Sequence, residues 1–382
     1  MKRKILYITG TRADYGLMRS VLFEIHNSAS LDLEIIVTGM HLMEEFGLTV
    51  NEIKEDGFHY QTIDAIFEED DKTSMAKFVG TTICLLTDKI KDINPDLILL
   101  LGDRGEMLAG AIVGAYLNIP TAHLHGGEIT STVDEYVRHA ITKLVNIHFP
   151  ATQKSAERIL AMGENPENIY LVGAPGLDYI LNLELSNKNE IINNYNLDIS
   201  KPIILMIQHP VTLESNDASK QVSETLKAIS DLEYQTLIIY PNADAGGREI
   251  IKEIKKYEHL PFIQSFKNIP RKDFISLMKI ASVMVGNSSS GIIEASSFKI
   301  PVINIGSRQR NRERAQNVID SDYDRDEIKK AIKKALNDVK FRDELKNCQN
   351  PYGEGNTAIK IVEILKNINI DENLLNKALN YD

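Results

Sequence analysis

Tryptophan is absent from this 382-residue chain, and cysteine is nearly so. The two cysteines, Cys84 and Cys348, stand far apart and belong to neither a Cys-x-x-Cys pair nor a Cys/His cluster. That excludes a disulfide framework and the common zinc sites. Long apolar runs are also missing. None approaches the roughly 18 residues that a helix needs to cross a bilayer. The start is basic, but its apolar run ends at Ile8 and Thr9-Gly10-Thr11-Arg12 breaks it, which is too short for a secretory signal. A cytoplasmic protein without a membrane partner is expected. Positive charge is in deficit: 43 basic against 54 acidic side chains, a net charge of -11. A nucleic-acid surface needs a basic face, so that class is excluded. A small anionic ligand is not, since a few arginines and backbone N–H groups gathered in one place suffice.

What remains is ordinary for a globular protein: 43% hydrophobic and 25% charged residues, in a length that suits two or three domains. Short β-branched runs alternate with longer amphipathic segments. Residues 4–9, 33–38, 97–101, 121–125, 146–149 and 169–172 read as strands, with a loop at 10–16 and helices at 17–26, 74–93 and 106–117. After a polar, asparagine-rich connector at 177–201, strands recur at 203–208, 236–240, 262–264, 283–285 and 302–305. Parallel strands need crossover connections, so strand–helix alternation implies parallel sheets. The expected fold is α/β: two Rossmann-like, doubly wound lobes, 1–176 and 202–367, with ligand bound in the cleft between them. The helices near 356–367 and 371–380 are expected to pack back onto the first lobe.

In open α/β sheets, ligands bind beyond the carboxyl ends of the strands. Five polar loops leave such ends. Thr9-Gly10-Thr11-Arg12 offers glycine and a cation, although it is not a dinucleotide fingerprint. Gly102-Asp103-Arg104-Gly105-Glu106 ends a fully apolar run; Asp103 is either a site carboxylate or the cap of the next helix. His123-Leu124-His125-Gly126-Gly127-Glu128 leads on to Asp134 and Arg138. Its paired glycines suggest close approach of a ligand, and Asp134 is again either functional or a cap. A His-x-His pair raises the question of a metal, but no further ligands stand at suitable spacing, so none is expected. Gln208-His209-Pro210 opens the second lobe. Gly286-Asn287-Ser288-Ser289-Ser290-Gly291, followed by Glu294, supplies hydroxyls and N–H groups of the kind that hold phosphate, with Arg308 after the next strand as a cationic clamp.

In order and spacing, these loops together resemble the UDP-N-acetylglucosamine 2-epimerase family over about residues 4–367. The resemblance implies two lobes of the kind found in B-type glycosyltransferases. It points to the hydrolysing branch. Non-hydrolysing members carry His-x-Glu-Ala-Gly-Leu-Arg and His-Arg-Arg-Glu-Asn segments, where this chain has His123-Leu124-His125-Gly126-Gly127-Glu128-Ile129 and His209-Pro210-Val211-Thr212-Leu213. Many relatives have Glu at the position of His125.

The activity so implied converts UDP-N-acetylglucosamine and water into N-acetylmannosamine and UDP, for sialic acid synthesis. UDP leaves C1, a 2-acetamidoglycal forms, and water adds while C2 is reprotonated on the other face. No cofactor and no metal is implied, and a homodimer or homotetramer is. By resemblance, Asp103, His125 and Asp134 are the acid/base groups, and His209 stabilises the leaving group or an acid/base partner. Arg12, Ser288, Ser289, Gly291 and Arg308 face the diphosphate, Glu294 the ribose, Arg104 the substrate and His41 the sugar. The runner-up keeps this reaction on UDP-2,4-diacetamido-2,4,6-trideoxyglucose, in a legionaminic acid pathway. A non-catalytic nucleotide-sugar-binding regulator is the alternative of another class; it would need the UDP clamps more than Asp103, Asp134 and His209.

Overall fold

The computed structural model describes residues 2–44, 47–65, 72–129, 133–183, 185–241, 246–378 and 380; the side chains of 72, 133, 134, 212 and 213 are not among them. The chain divides into two compact units, 1–179 with 352–382, and 180–351. Each is built on one six-stranded parallel sheet.

The first sheet comprises β1 (Arg3–Thr9), β2 (Leu31–Val37), β3 (Gln61–Thr62), β4 (Leu97–Leu101), β5 (Thr121–Leu124) and β6 (Ile147–Phe149). Their spatial order is β3-β2-β1-β4-β5-β6. The second comprises β7 (Ile203–Ile207), β8 (Gln235–Ile239), β9 (Ile263–Phe266), β10 (Val283–Gly286), β11 (Val302–Ile305) and β12 (Val318–Ser321), in the order β12-β11-β10-β7-β8-β9. Both are the doubly wound order, in which the winding reverses beside the first strand. That reversal opens a crevice between β1 and β4, and likewise between β7 and β10. The strands read as continuous apolar runs because helices cover both faces: β4, Leu-Ile-Leu-Leu-Leu, is buried throughout. Among the described residues, no helix is long and apolar enough to cross a membrane.

The structure alters several expectations. The segment at 10–16 is not a loop: the helix Arg12–His26 begins there, because Thr11 and Asp14 form a reciprocal capping box. Residues 169–172 add only a bridge from Ile169 to His148. The short strands β3 and β12 escaped the pattern; one is two residues long and the other, Val-Ile-Asp-Ser, is half polar. The second lobe ends at Pro351, not at residue 367. The helix Thr357–Asn367 returns to the first unit, where its Ile361, Val362 and Leu365 join the core formed by Val21, Leu22 and Ile25. Asp178 fixes its start by accepting the N–H groups of Thr357 (3.0 Å) and Ala358 (2.5 Å). The 177–201 stretch is likewise no free connector. Its helix Lys188–Asn194 belongs to the second unit, tied there by Tyr195 to Asp273 (2.9 Å). Among the described residues of the tail, only Glu372–Leu375 is helical. Beyond it, Lys377 is bound to Glu164, which also takes Lys143 and His148. Burial would raise this carboxyl, but bonds from His148, Lys143 and Lys377 outweigh it and bring it down to about 2.

Candidate active site

In the first unit, the loops after β1, β4 and β5 lie at the crevice that the strand order creates. Asp103 follows β4 without capping the next helix. The cap position of Gly105–Tyr116 falls on Arg104, which makes no side-chain cap bond. Asp103 instead pairs with Arg138, a buried guanidinium from the helix Val133–Leu144. Arg138 also donates to the Glu128 carbonyl at 3.0 Å. One arginine therefore ties the β4 exit to the β5 exit. Arg104 is held in turn by Glu106, whose Oε1 accepts from Nε at 2.6 Å. Glu106 is 1% exposed and lies against Gly10, while its Oε2 has no partner among the described residues.

His125 stands one residue beyond β5, not within it, and takes a left-handed backbone (φ +61°). That conformation is uncommon outside glycine, and bulky side chains adopt it at a cost. It turns the imidazole off the face shared by alternate strand residues, so His123 and His125 serve different ends. His123 is fully buried and bonds the Gly102 carbonyl through Nε2 at 2.6 Å. His125 places Nδ1 at 2.5 Å from Glu128 Oε1. With Nδ1–H donating to the carboxylate, Nε2 carries the lone pair of the neutral ring. That Nε2 is buried without a partner among the described residues. Leaving a buried polar atom unpaired costs about 1–3 kcal/mol, which marks a group kept for something other than stability. Glu128 was not among the expected site residues. Its signal, a carboxylate three positions after a histidine across two glycines, becomes readable only with the turn in hand. The glycines themselves serve the fold: Gly127 (φ +74°) has no side chain because the Ser155 carbonyl occupies that space.

His41 does not fit the sugar role. It is fully buried, with Nε2 at 3.0 Å from Thr9 Oγ1 and Nδ1 at 2.8 Å from Thr49 Oγ1. Thr9 spends its proton on Asp14 (2.5 Å), so it accepts from Nε2–H, and Nδ1 accepts from Thr49. No nitrogen is left over. Arg12, mostly exposed, pairs with Glu52 at 2.9 Å. Asp134 lies in the first turn of Val133–Leu144, and its side chain is outside the described residues.

Burial lowers His41 to about 4 and His123 to about 3, so both rings are neutral near pH 7. Both folded values lie below the unfolded value near 6.5. The unfolded chain therefore binds more protons as pH falls below 6.5, and stability is lost through the window down to those folded values. Between pH 7 and pH 5 the loss is about 2 kcal/mol per ring, at roughly 1.4 kcal/mol per unit. The urea midpoint of the folded chain is expected to be lower at pH 5 than at pH 7. An unchanged midpoint would mean that the folded chain takes up as many protons as the unfolded one in this range, so that burial does not depress these rings.

In the second unit, β7 leads to His209 and β10 to Asn287. Gly286 adopts φ +130° and lies against the Ile207 carbonyl, where no side chain fits. Ser288 caps the five-residue helix Ser289–Ile293, accepting from Ser290 N–H at 3.3 Å. Gly291 is buried against Val302. Arg271 donates to Glu294 Oε1 at 2.6 Å, and Glu294 Oε2 is buried without a partner among the described residues. Arg308, following β11, donates from Nη1 to the Asn287 carbonyl at 3.1 Å.

The sequence model of UDP-N-acetylglucosamine 2-epimerase matches residues 23–366, which take in the exits of β4, β5, β7, β10 and β11. The chain belongs to that family. The epimerase-family chain is 46% identical to the UDP-N,N'-diacetylbacillosamine 2-epimerase (hydrolyzing) of Legionella pneumophila, over the whole of both chains. It is 37% identical to the GDP/UDP-N,N'-diacetylbacillosamine 2-epimerase (hydrolyzing) of Campylobacter jejuni, covering 97% of each. The two-lobed epimerase fold is shared with the crystal structure of Neisseria meningitidis UDP-GlcNAc 2-epimerase bound to UDP-GlcNAc. The TM-score there is 0.78 at 19% identity, covering 95% of this chain and 99% of that one.

Proposed function

We propose that this epimerase-family chain is a hydrolysing 2-epimerase whose substrate is UDP-2,4-diacetamido-2,4,6-trideoxyglucose, also called UDP-N,N'-diacetylbacillosamine. The products are UDP and the corresponding 2,4-diacetamido-mannose derivative. The sequence reading favoured UDP-N-acetylglucosamine. Similarity over full length to hydrolysing enzymes of the diacetamido sugar favours the other choice.

The observation that carries the chemistry is the pairing of His125 with Glu128, beside Asp103 held by Arg138. The C2 proton adjoins no carbonyl, so simple deprotonation is blocked. Breaking the C1–O bond and the C2–H bond gives UDP and a 2-acetamidoglycal. Water then adds its oxygen to C1 and a proton returns to C2. Inversion requires removal and return on opposite faces, hence two acid/base groups. His125 and Asp103 take these parts, with Asp134 as a third acid/base group. His209 and Arg308 offset the charge building on the departing diphosphate, which is the step where fixed positive groups contribute most. In the second unit Ser288, Ser289 and Gly291 complete the diphosphate site and Glu294 holds the ribose; in the first, Arg104 faces the sugar.

The test is UDP release from both sugars in heavy and oxygen-18 water. Faster turnover of the diacetamido sugar is expected, with deuterium at product C2 and oxygen-18 at C1. Faster release from UDP-N-acetylglucosamine would return the assignment to that substrate. UDP binding without release from either would make the chain a binding protein, and label in the UDP phosphate would eliminate C1–O cleavage. Separately, Arg308→Ala is expected to weaken UDP binding by about 1.5–3 kcal/mol, the usual worth of a charge-assisted hydrogen bond. Titration calorimetry reads this directly, and unchanged affinity would remove Arg308 from the diphosphate site.

A further inference from the structure

We infer that Asn287 is a positioning residue for His209, and that its side chain and main chain divide the work of the second unit's crevice between two functional groups. The inference rests on the epimerase reading above, because it concerns what His209 does there.

The ladder between β7 and β10 ends at the pair Ile207 and Gly286. Beyond it Asn287 N–H still donates to the Ile207 carbonyl at 3.1 Å, and the side chain then takes over from the backbone. Asn287 Oδ1 accepts the His209 N–H at 2.7 Å, and Nδ2 donates to the His209 carbonyl at 2.9 Å. These are the two bonds that a neighbouring strand would make, supplied by one carboxamide. The next residue, Pro210, has no N–H and cannot continue a ladder. The carboxamide thus fixes the main chain of His209 on both sides at the last point where pairing is available. Asn287 is 1% exposed, so both bonds lie away from competing water.

The main-chain carbonyl of Asn287 serves a different group. It accepts from Arg308 Nη1 at 3.1 Å and from Gln309 Nε2 at 3.0 Å. Removing the side chain therefore releases His209 and leaves the anchor of Arg308 in place. Gln309 is itself 2% exposed, so this second anchor is equally sheltered. A capping or purely stabilising asparagine has no reason to act on one of these groups and spare the other.

The experiment is a double-mutant cycle on the whole chain with Asn287→Ala and His209→Ala, read as kcat, KM and UDP affinity. Asn287→Ala is expected to lower kcat about 10–100-fold, as a displacement near 1 Å does. KM and UDP affinity should stay within about threefold, because Arg308 keeps its anchor. On the His209→Ala background the same change should lower kcat less than about twofold, since residues acting as a unit are non-additive. Independent, multiplying losses would overturn the inference, and so would normal kcat in Asn287→Ala when His209→Ala is impaired. If Asn287→Ala does not fold, Asn287→Asp, which keeps the acceptor for the His209 N–H and loses the donor to its carbonyl, should show a smaller loss of the same pattern; a multiplying loss there overturns it equally. Should the wild-type chain turn over neither sugar, the epimerase reading fails, and histidine-ring NMR decides this inference alone. The His209 ring resonances should then move in the Asn287 variant while those of exposed His259 do not; unmoved His209 resonances would overturn it.

Discussion

Replacing His125 with alanine is expected to lower turnover about 10²–10⁴-fold, the range for general acid–base groups, while UDP affinity stays nearly unchanged. The argument starts from the backbone. His125 is held left-handed just past β5, and its N–H is bonded to the Phe149 carbonyl at 3.2 Å. The imidazole therefore has a fixed origin. Glu128 sets its rotation and its tautomer through Nδ1, leaving Nε2 as the working atom. The ring accepts the C2 proton there, and the proton that returns to C2 comes from the second group, on the opposite face. Glu128→Gln should retain an acceptor for Nδ1–H but lose the negative charge that stabilises the imidazolium. It is expected to fall between the wild type and His125→Ala. His125→Glu should recover part of the activity with a shifted pH profile, because a carboxylate can carry the same proton. Steady-state kinetics from pH 5 to 9 on purified, folded variants make the check. Near-normal turnover in His125→Ala would reduce the pair with Glu128 to a structural contact and leave the proton transfers to Asp103 and Asp134.

Asp103→Asn is expected to lower turnover by a comparable factor, about 10²–10⁴, and to do so at a different step. Asp103 is fixed by the Arg138 guanidinium, which is 5% exposed. The amide of the variant preserves shape but can neither take nor give the proton. It also removes the charge that balances Arg138, and breaking a buried ion pair on one side costs about 3–5 kcal/mol of stability. Turnover must therefore be normalised to folded protein, judged by thermal unfolding. If His125 acts in elimination and Asp103 in the hydration that follows, Asp103→Asn should release UDP and accumulate the 2-acetamidoglycal, visible by proton NMR as a vinylic signal. Loss of UDP release without glycal would assign Asp103 to the elimination instead. Near-normal formation of the mannose-type product would exclude Asp103 from both.

The parallel α/β class was legible in the sequence, because a buried strand between helices must be apolar on both faces, and β4 and β7 are. So were the polar residues that interrupt those runs, among them Asp103, His125, His209 and Ser288. The family resemblance rests on the same loops and holds. These are local properties, carried by composition over a few residues. Whatever joined distant residues was decided by the tertiary structure. The crevices depend on strand order, which brings β4 beside β1 and β10 beside β7. Arg138 reaches Asp103 across 35 residues, and Asn287 reaches His209 across 78. Neither pairing has a sequence period. His41 has the residue type of a ligand group, yet packing between Thr9 and Thr49 consumes both of its nitrogens. His125 takes a left-handed backbone, Gly127 two residues on lies against the helix Gln153–Ala161, and across this turn Glu128 reaches the ring. Residue types and strand ends are written in one dimension; which hydrogen bonds those residues have left to offer is settled by what folds against them.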